Sequence, residues 1–145
     1  MRSMREDDLP KIDEIERKAY DFPWSTSIFR DCMRARYACV LAENEDGLLA
    51  YAVMSMAAGE AHVLNLCVKP ECQGQGRGRR ILDHLIETAF ENGVDTMFLE
   101  VRPSNPAAVA LYHEAGFNQI GVRQDYYPAH EGREDALVLA RALMR

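Results

Sequence analysis

No run of eighteen apolar residues occurs in this 145-residue chain, so no helical membrane span is expected. The opening Met1-Arg2-Ser3-Met4-Arg5-Glu6-Asp7-Asp8 has no apolar core of the kind a secretion signal carries. A cytoplasmic protein is the expectation. Basic residues are the minority, 17 Lys and Arg against 23 Asp and Glu, for a formal net charge of −6. Nucleic-acid binders show a basic footprint, so no direct nucleic-acid contact is expected. A basic protein or peptide suits the acidic balance as a partner. The four cysteines, Cys32, Cys39, Cys67 and Cys72, include no C-x-x-C pair, and their spacings suit no zinc site. They read as reduced thiols. The histidines His62, His84, His113 and His130 form no H-E-x-x-H, and no metal is expected. The length suits one domain, residues 1–145, with one sizeable core.

What is present centres on Val63 to Ala89. Val63-Leu64-Asn65-Leu66-Cys67-Val68 is an apolar run with β-branched members, a buried strand ended by Pro70. Ile81, Leu82, Leu85, Ile86, Ala89 and Phe90 fall on one face of a helix. Between them, Gln73-Gly74-Gln75-Gly76-Arg77-Gly78-Arg79-Arg80 sets three glycines at alternate positions beside three arginines. Backbone amides in such a loop converge, and the helix N-terminus adds a positive dipole end. That is a receptor for a phosphate or pyrophosphate, and Lys69, Arg77, Arg79 and Arg80 make it locally positive in an acidic chain. It is no Walker loop, since no Gly-Lys-Ser/Thr follows. It is no dinucleotide fingerprint, since Arg79 stands where the third glycine belongs. The alternative is a plain glycine-rich connection with solvated arginines.

Along the chain, residues 1–6 suggest a short strand. Asp7 or Asp8 caps a helix with Pro10 in its first turn, and Ile12, Ile15 and Ala19 carry it to about Tyr20. The aromatic turn Phe22-Pro23-Trp24-Ser25 follows, then a short helix capped by Ser25 or Thr26. Strands are expected at 37–43, 48–56, 61–68, 96–101, 117–127 and 136–143. A long helix runs from Gly76 to Asn92-Gly93, and a short one starts at Asn105-Pro106 and stops at Gly116. The order β-α-α-β-β-β-α-β-α-β-β gives an α/β fold with a mixed parallel and antiparallel sheet and helices on its faces.

The spacing Gln73-x-x-Gly76-x-Gly78 resembles the acetyl-CoA pyrophosphate loop of the GNAT N-acetyltransferases. Asn105-x-x-Ala108 followed by Leu111-Tyr112-x-x-x-Gly116-Phe117 is similar to the later part of that fold. Phe22-Pro23-Trp24-Ser25, Leu99-Glu100-Val101-Arg102, Asp125-Tyr126-Tyr127-Pro128 and Gly132-Arg133-Glu134-Asp135-Ala136 together resemble the RimI type, the bacterial ribosomal-protein-alanine N-acetyltransferases. The resemblance covers nearly the whole chain. It implies the GNAT acyl-CoA N-acyltransferase fold and acetyl-CoA as co-substrate, with the basic N-terminus of small-subunit ribosomal protein eighteen as acceptor. It further implies coenzyme contacts from the backbone of Leu66, Cys67 and Val68, from the loop residues Gln73, Gly74, Gln75, Gly76, Arg77, Gly78 and Arg79, and from Asn105 and Tyr112.

The chemistry stands beside the resemblance. An amine must be neutral to attack a thioester. At neutral pH that costs ~1 kcal/mol for an α-amino group and ~4–5 kcal/mol for lysine. One carboxylate, acting directly or through water, is enough help for the former. Glu100 shares a strand face with Phe98, where apolar neighbours would raise its pKa. It is either the base, the role the resemblance implies, or a strand-end carboxylate paired with Arg102 or another cation. Tyr112 lies on the apolar face of its helix with Ala108, Leu111 and Ala115. It is a core tyrosine or, as the resemblance implies, the acid that protonates the leaving thiolate. Asn105 caps its helix and by resemblance touches coenzyme as well. Trp24, Tyr126 and Tyr127 line an acceptor groove, or Trp24 clamps the first two helices. A covalent role for Cys67 is disfavoured because neither His62 nor His84 is an obvious partner. Other readings remain: acetylation of other protein N-termini, of lysine side chains or of a small amine, and an acyl-CoA-binding interaction module without activity.

Overall fold

The computed structural model describes residues 1–143. Among the described residues seven strands and four helices follow one another in the expected order, and the strands are arranged β1-β2-β3-β4-β5-β7-β6 in one sheet. The β4–β5 pairing is parallel, whereas β1–β2, β2–β3, β5–β7 and β6–β7 are antiparallel. Among the described residues no helix is long and apolar enough to cross a membrane.

The chain forms two compact units. Met1–Ser55 with Leu64–Leu85 makes the first, and Met56–Val63 with the chain from Ile86 onward makes the second. Strand β4 (Glu60–Val68) and helix α3 (Arg77–Glu91) each contribute to both.

In the first unit β1 (Arg2–Ser3) pairs with β2 (Ala38–Asn44), which pairs with β3 (Gly47–Ala57). Helices α1 (Leu9–Ala19) and α2 (Thr26–Arg34) put Leu9, Ile12, Ile15 and Phe29 into a core with Leu41, Tyr51 and Cys67. Ser25 caps α2 by accepting the Ile28 amide at 3.4 Å. Asp8 holds the N-cap position of α1 but makes no side-chain bond to that helix. Its carboxylate accepts the Arg5 amide at 2.7 Å and both Arg2 terminal nitrogens at 2.7 and 2.9 Å. The stronger charge-assisted partner takes it, and Arg2 holds the carboxyl below its usual range.

In the second unit the first residues of β4 pair with β5 (Thr96–Val101), Glu60 with Thr96 through Val63 with Leu99. On its other edge β5 pairs with β7 (Arg133–Ala142), and β7 with the edge strand β6 (Asn118–Pro128). Helix α4 (Pro106–Glu114) starts at Asn105, whose Oδ1 accepts the Ala108 amide at 3.2 Å. Alternation along β5 buries Met97, Leu99 and Val101 and leaves Thr96, Phe98 and Glu100 half exposed on the other face. Strand β7 begins three residues before its expected start at Ala136, because Arg133 and Glu134 pair with Pro128 and Tyr127.

The β6–β7 ladder contains an unexpected feature. Arg123 lies opposite Ala136 and Tyr127 opposite Glu134, so Gln124, Asp125 and Tyr126 face the single Asp135. This bulge puts Asp125 at φ 51°, the left-handed region that L-residues avoid.

Candidate active site

The central loop is built from local geometry in the first unit. A single 3-10 turn, Pro70–Cys72, follows β4, and Gly74 and Gly76 then take φ of 76° and 78°. Only glycine adopts these angles without strain. Gly76 accepts the Arg80 amide at 3.1 Å and so opens α3, whose first amides lack intrahelical acceptors as in any α-helix. Gly78 lies within the first helical turn. Gln73 Nε2 donates to the Val68 carbonyl at 3.3 Å, which ties the loop back to the end of β4. Arg77 bonds the Gln75 side chain, and Arg79 pairs with Asp83 at 2.9 Å. The predicted loop residues Gln73 to Arg79 and the strand residues Leu66, Cys67 and Val68 are thus brought together in one unit.

A buried polar group that the sequence reading passed over stands behind that strand end. Glu16 is 2% exposed. Its carboxylate accepts from the Tyr51 hydroxyl at 2.6 Å, the Trp24 amide at 3.0 Å and Asn65 Nδ2 at 3.3 Å. Nearby, the Tyr20 hydroxyl donates to the Leu66 carbonyl at 3.0 Å. The signal was in the sequence: Ile12, Ile15, Glu16 and Ala19 fall at i, i+3, i+4 and i+7, so a charge lies in the apolar stripe of α1. The Trp24 ring packs on Phe29 of α2 at 5.2 Å between centroids. Cys67 is buried, and burial above all pushes its thiol up to about 11. The thiolate a nucleophile needs is scarce there at neutral pH.

The second unit holds the remaining candidates. Glu100 Oε1 lies 3.4 Å from Arg123 Nε, and the Arg123 guanidinium lies 5.3 Å over the Tyr126 ring. Glu100, Val138 and Gly121 stand in one cross-strand row, and Arg123 lies two residues beyond Gly121 on the same face. Arg102, the neighbour considered as partner for Glu100, instead pairs with Glu134 at 3.1 Å and sits 4.3 Å over the Tyr127 ring. Tyr126 and Tyr127 lie edge to face with centroids 5.0 Å apart. Burial, then the Glu100 carboxylate, raises both phenols above the ordinary tyrosine range. Tyr112 is buried against Phe117, and burial pushes it up to about 12. Its proton is retained throughout the range in which an amine would react. Glu100, Tyr126, Tyr127 and Tyr112 therefore belong to one unit, and the Glu100 carboxylate helps hold the Tyr127 proton in place.

A cavity of about 230 Å³ in the first unit is lined by Asp8, Lys11, Glu14, Lys18, Glu43 and Lys69, among others, and by none of the predicted site residues. Among the described residues no group of three or more His, Cys, Asp or Glu is placed to hold a metal ion.

Comparison with known proteins identifies the family. A sequence model described as the acetyltransferase (GNAT) family matches residues 4–117. The [ribosomal protein bS18]-alanine N-acetyltransferase of Escherichia coli K12 is 41% identical over 138 residues, covering 95% of this chain and 93% of the relative. The protein of that name from Haemophilus ducreyi is 38% identical over 136 residues, covering 93% and 94%. The crystal structure of the E. coli ribosomal-protein-S18-alanine N-acetyltransferase superposes with a TM-score of 0.92 at 40% identity, over 99% of this chain and 93% of that one.

Proposed function

The chain belongs to the acetyltransferase (GNAT) family of enzymes, and from that premise we propose that it moves the acetyl group of acetyl-CoA to the N-terminal alanine amine of a small-subunit ribosomal protein. The observation that carries the acceptor class is the near-complete match, 41% identity over 95% of the chain, to relatives named for that reaction. The net charge of −6 suits a basic ribosomal N-terminus. Residues 1–145 serve this activity as one acetyltransferase domain, and the family match across 4–117 supports that. The cytoplasm, where ribosomal proteins are met, is its place of work.

In this reading the Gln73–Arg79 loop and the start of α3 take the pyrophosphate on convergent amides and arginines. The backbone of Leu66 to Val68 holds the thioester arm and polarises its carbonyl, while Asn105 adds a coenzyme contact. Glu100 accepts the proton of the attacking α-amine. The half-exposed carboxylate beside the Arg123 guanidinium supports this role, since it is oriented and reachable. The amine attacks the thioester carbon, the carbon–sulfur bond breaks, and Tyr112 gives its proton to the departing thiolate. A phenol kept protonated to about 12 supports that assignment. Tyr126 and Tyr127 receive the acceptor peptide.

The test is acetyl transfer to two basic peptides. One begins with a free alanine, and the other has a blocked terminus and an internal lysine. Transfer to the first alone is expected. Transfer to the blocked peptide would move the activity to lysine side chains.

A further inference from the structure

Adjacent residues of a regular strand point to opposite faces, yet the Tyr126 and Tyr127 rings touch edge to face with centroids 5.0 Å apart. The bulge of β6 accounts for this, and the bulge is costly, because Asp125 sits at φ 51° without being glycine. Such a conformation persists only where its surroundings hold it.

Three consecutive charged residues at the start of β7 hold it. Asp135 Oδ1 accepts the Asp125 amide at 2.9 Å. Arg133 donates to the Asp125 carbonyl at 2.7 Å and the Tyr126 carbonyl at 2.8 Å. Glu134 takes the Arg102 guanidinium at 3.1 Å and the Ser104 amide and hydroxyl at 2.9 Å each. Arg102 in turn donates to the Pro128 carbonyl at 2.9 Å and lies over the Tyr127 ring. Both backbone groups of Asp125 and both flanks of the tyrosine pair are therefore fixed from one tripeptide. All of these residues lie in the second unit.

We propose that Arg133, Glu134 and Asp135 form a clamp that locks the β6 bulge and so aims Tyr126 and Tyr127 at the Glu100 carboxylate, which makes Asp135 and Arg133 positioning residues for the acceptor amine. The role at the acceptor rests on the function proposed above. The clamp itself does not. None of the three side chains has to touch acceptor or coenzyme. They act through the backbone of Asp125 and Tyr126 and through Arg102.

Asp135→Ala removes the acceptor of the Asp125 amide. Asp135→Asn keeps an oxygen in its place and is the conservative rescue. With an alanine-first basic peptide and acetyl-CoA, Asp135→Ala should raise KM for the peptide by up to about tenfold, the upper scale of one lost hydrogen bond. KM for acetyl-CoA should stay within about twofold, and Asp135→Asn should lie near wild type. Arg133→Gln, which strips both carbonyl contacts, should raise the same KM and serves where Asp135→Ala folds poorly. Unchanged peptide KM in both variants, or equal loss for both substrates in step with the folded fraction, overturns the proposal. Nuclear Overhauser contacts between the Tyr126 and Tyr127 rings judge the clamp apart from activity. They should be present in wild type and lost in Asp135→Ala, and their persistence in the variant overturns the clamp. If the wild type acetylates no free terminus but the ring contacts behave as expected, the function reading fails and the clamp stands.

Discussion

The guanidinium that meets the Glu100 carboxylate is that of Arg123, at 3.4 Å, and not that of Arg102 two residues along the chain. A cation from the edge strand is thus brought to the strand that carries the proposed base, and Arg102 is released to support Tyr127.

The two arginines should therefore differ on removal. Arg123 is 58% exposed in its side chain, and an exposed ion pair contributes under about 1 kcal/mol. Arg102 joins a less exposed pair, a carbonyl bond and an aromatic face. Arg102→Ala should cost about 2 kcal/mol in urea denaturation, and Arg123→Ala less than half of that. Equal costs would show that the Arg102 contacts are not coupled to the fold.

Glu16 should matter to stability more than any surface carboxylate. Glu16→Ala strands the Tyr51 hydroxyl and the Trp24 amide in the core, at a cost of about 2–4 kcal/mol. Glu16→Gln keeps one oxygen acceptor and should lose roughly half as much. Equilibrium denaturation of the pair measures the difference, and a neutral Glu16→Ala would contradict the network.

Much of this was legible in sequence. Strand β5 matches its expected bounds, Thr96–Val101, because alternation and flanking turns agree there. Asn105 caps α4 as expected, because Asn before Pro leaves few alternatives. The bulge at 124–126 was not legible. Its cause lies in side chains of β7 that reach across the ladder, and no local pattern marks a residue forced to positive φ. Glu16 was overlooked although its place in the apolar stripe marked it, and its three donors come from Trp24, Tyr51 and Asn65, far apart in the chain.

Stability should fall on the alkaline side. Burial raises Cys39 and Cys67 to about 11 and Tyr112 to about 12. Unfolded thiols and phenols lose their protons near pH ~8.5 and ~10. Above these values the unfolded chain binds fewer protons than the folded one, so the stabilisation is complete below about pH 8 and is lost as pH climbs to about 12. Thermal melts from pH 8 to 11 should show a steady fall in Tm, and a flat profile would contradict the burial of these groups.

The glycine at φ 78° before α3 should matter to coenzyme binding rather than to packing. A Cβ on Gly76 meets nothing within 4 Å, so only backbone strain opposes Gly76→Ala. That strain, of order 1–2 kcal/mol, shifts the loop amides. Acetyl-CoA affinity by calorimetry should fall roughly tenfold for this strain, while the alanine-peptide KM changes little. Full affinity in the variant would remove the loop from the coenzyme site.

The central claim is that Glu100 takes the proton of an N-terminal amine. The most direct measurement is single-turnover acetyl transfer to an alanine-first peptide by wild type and Glu100→Gln, each saturated with acetyl-CoA. The substitution should slow transfer by about 10²-fold or more, the scale of a lost general base, with acetyl-CoA affinity unchanged. Transfer at the wild-type rate by Glu100→Gln would contradict the claim and leave Glu100 a strand-end partner of Arg123.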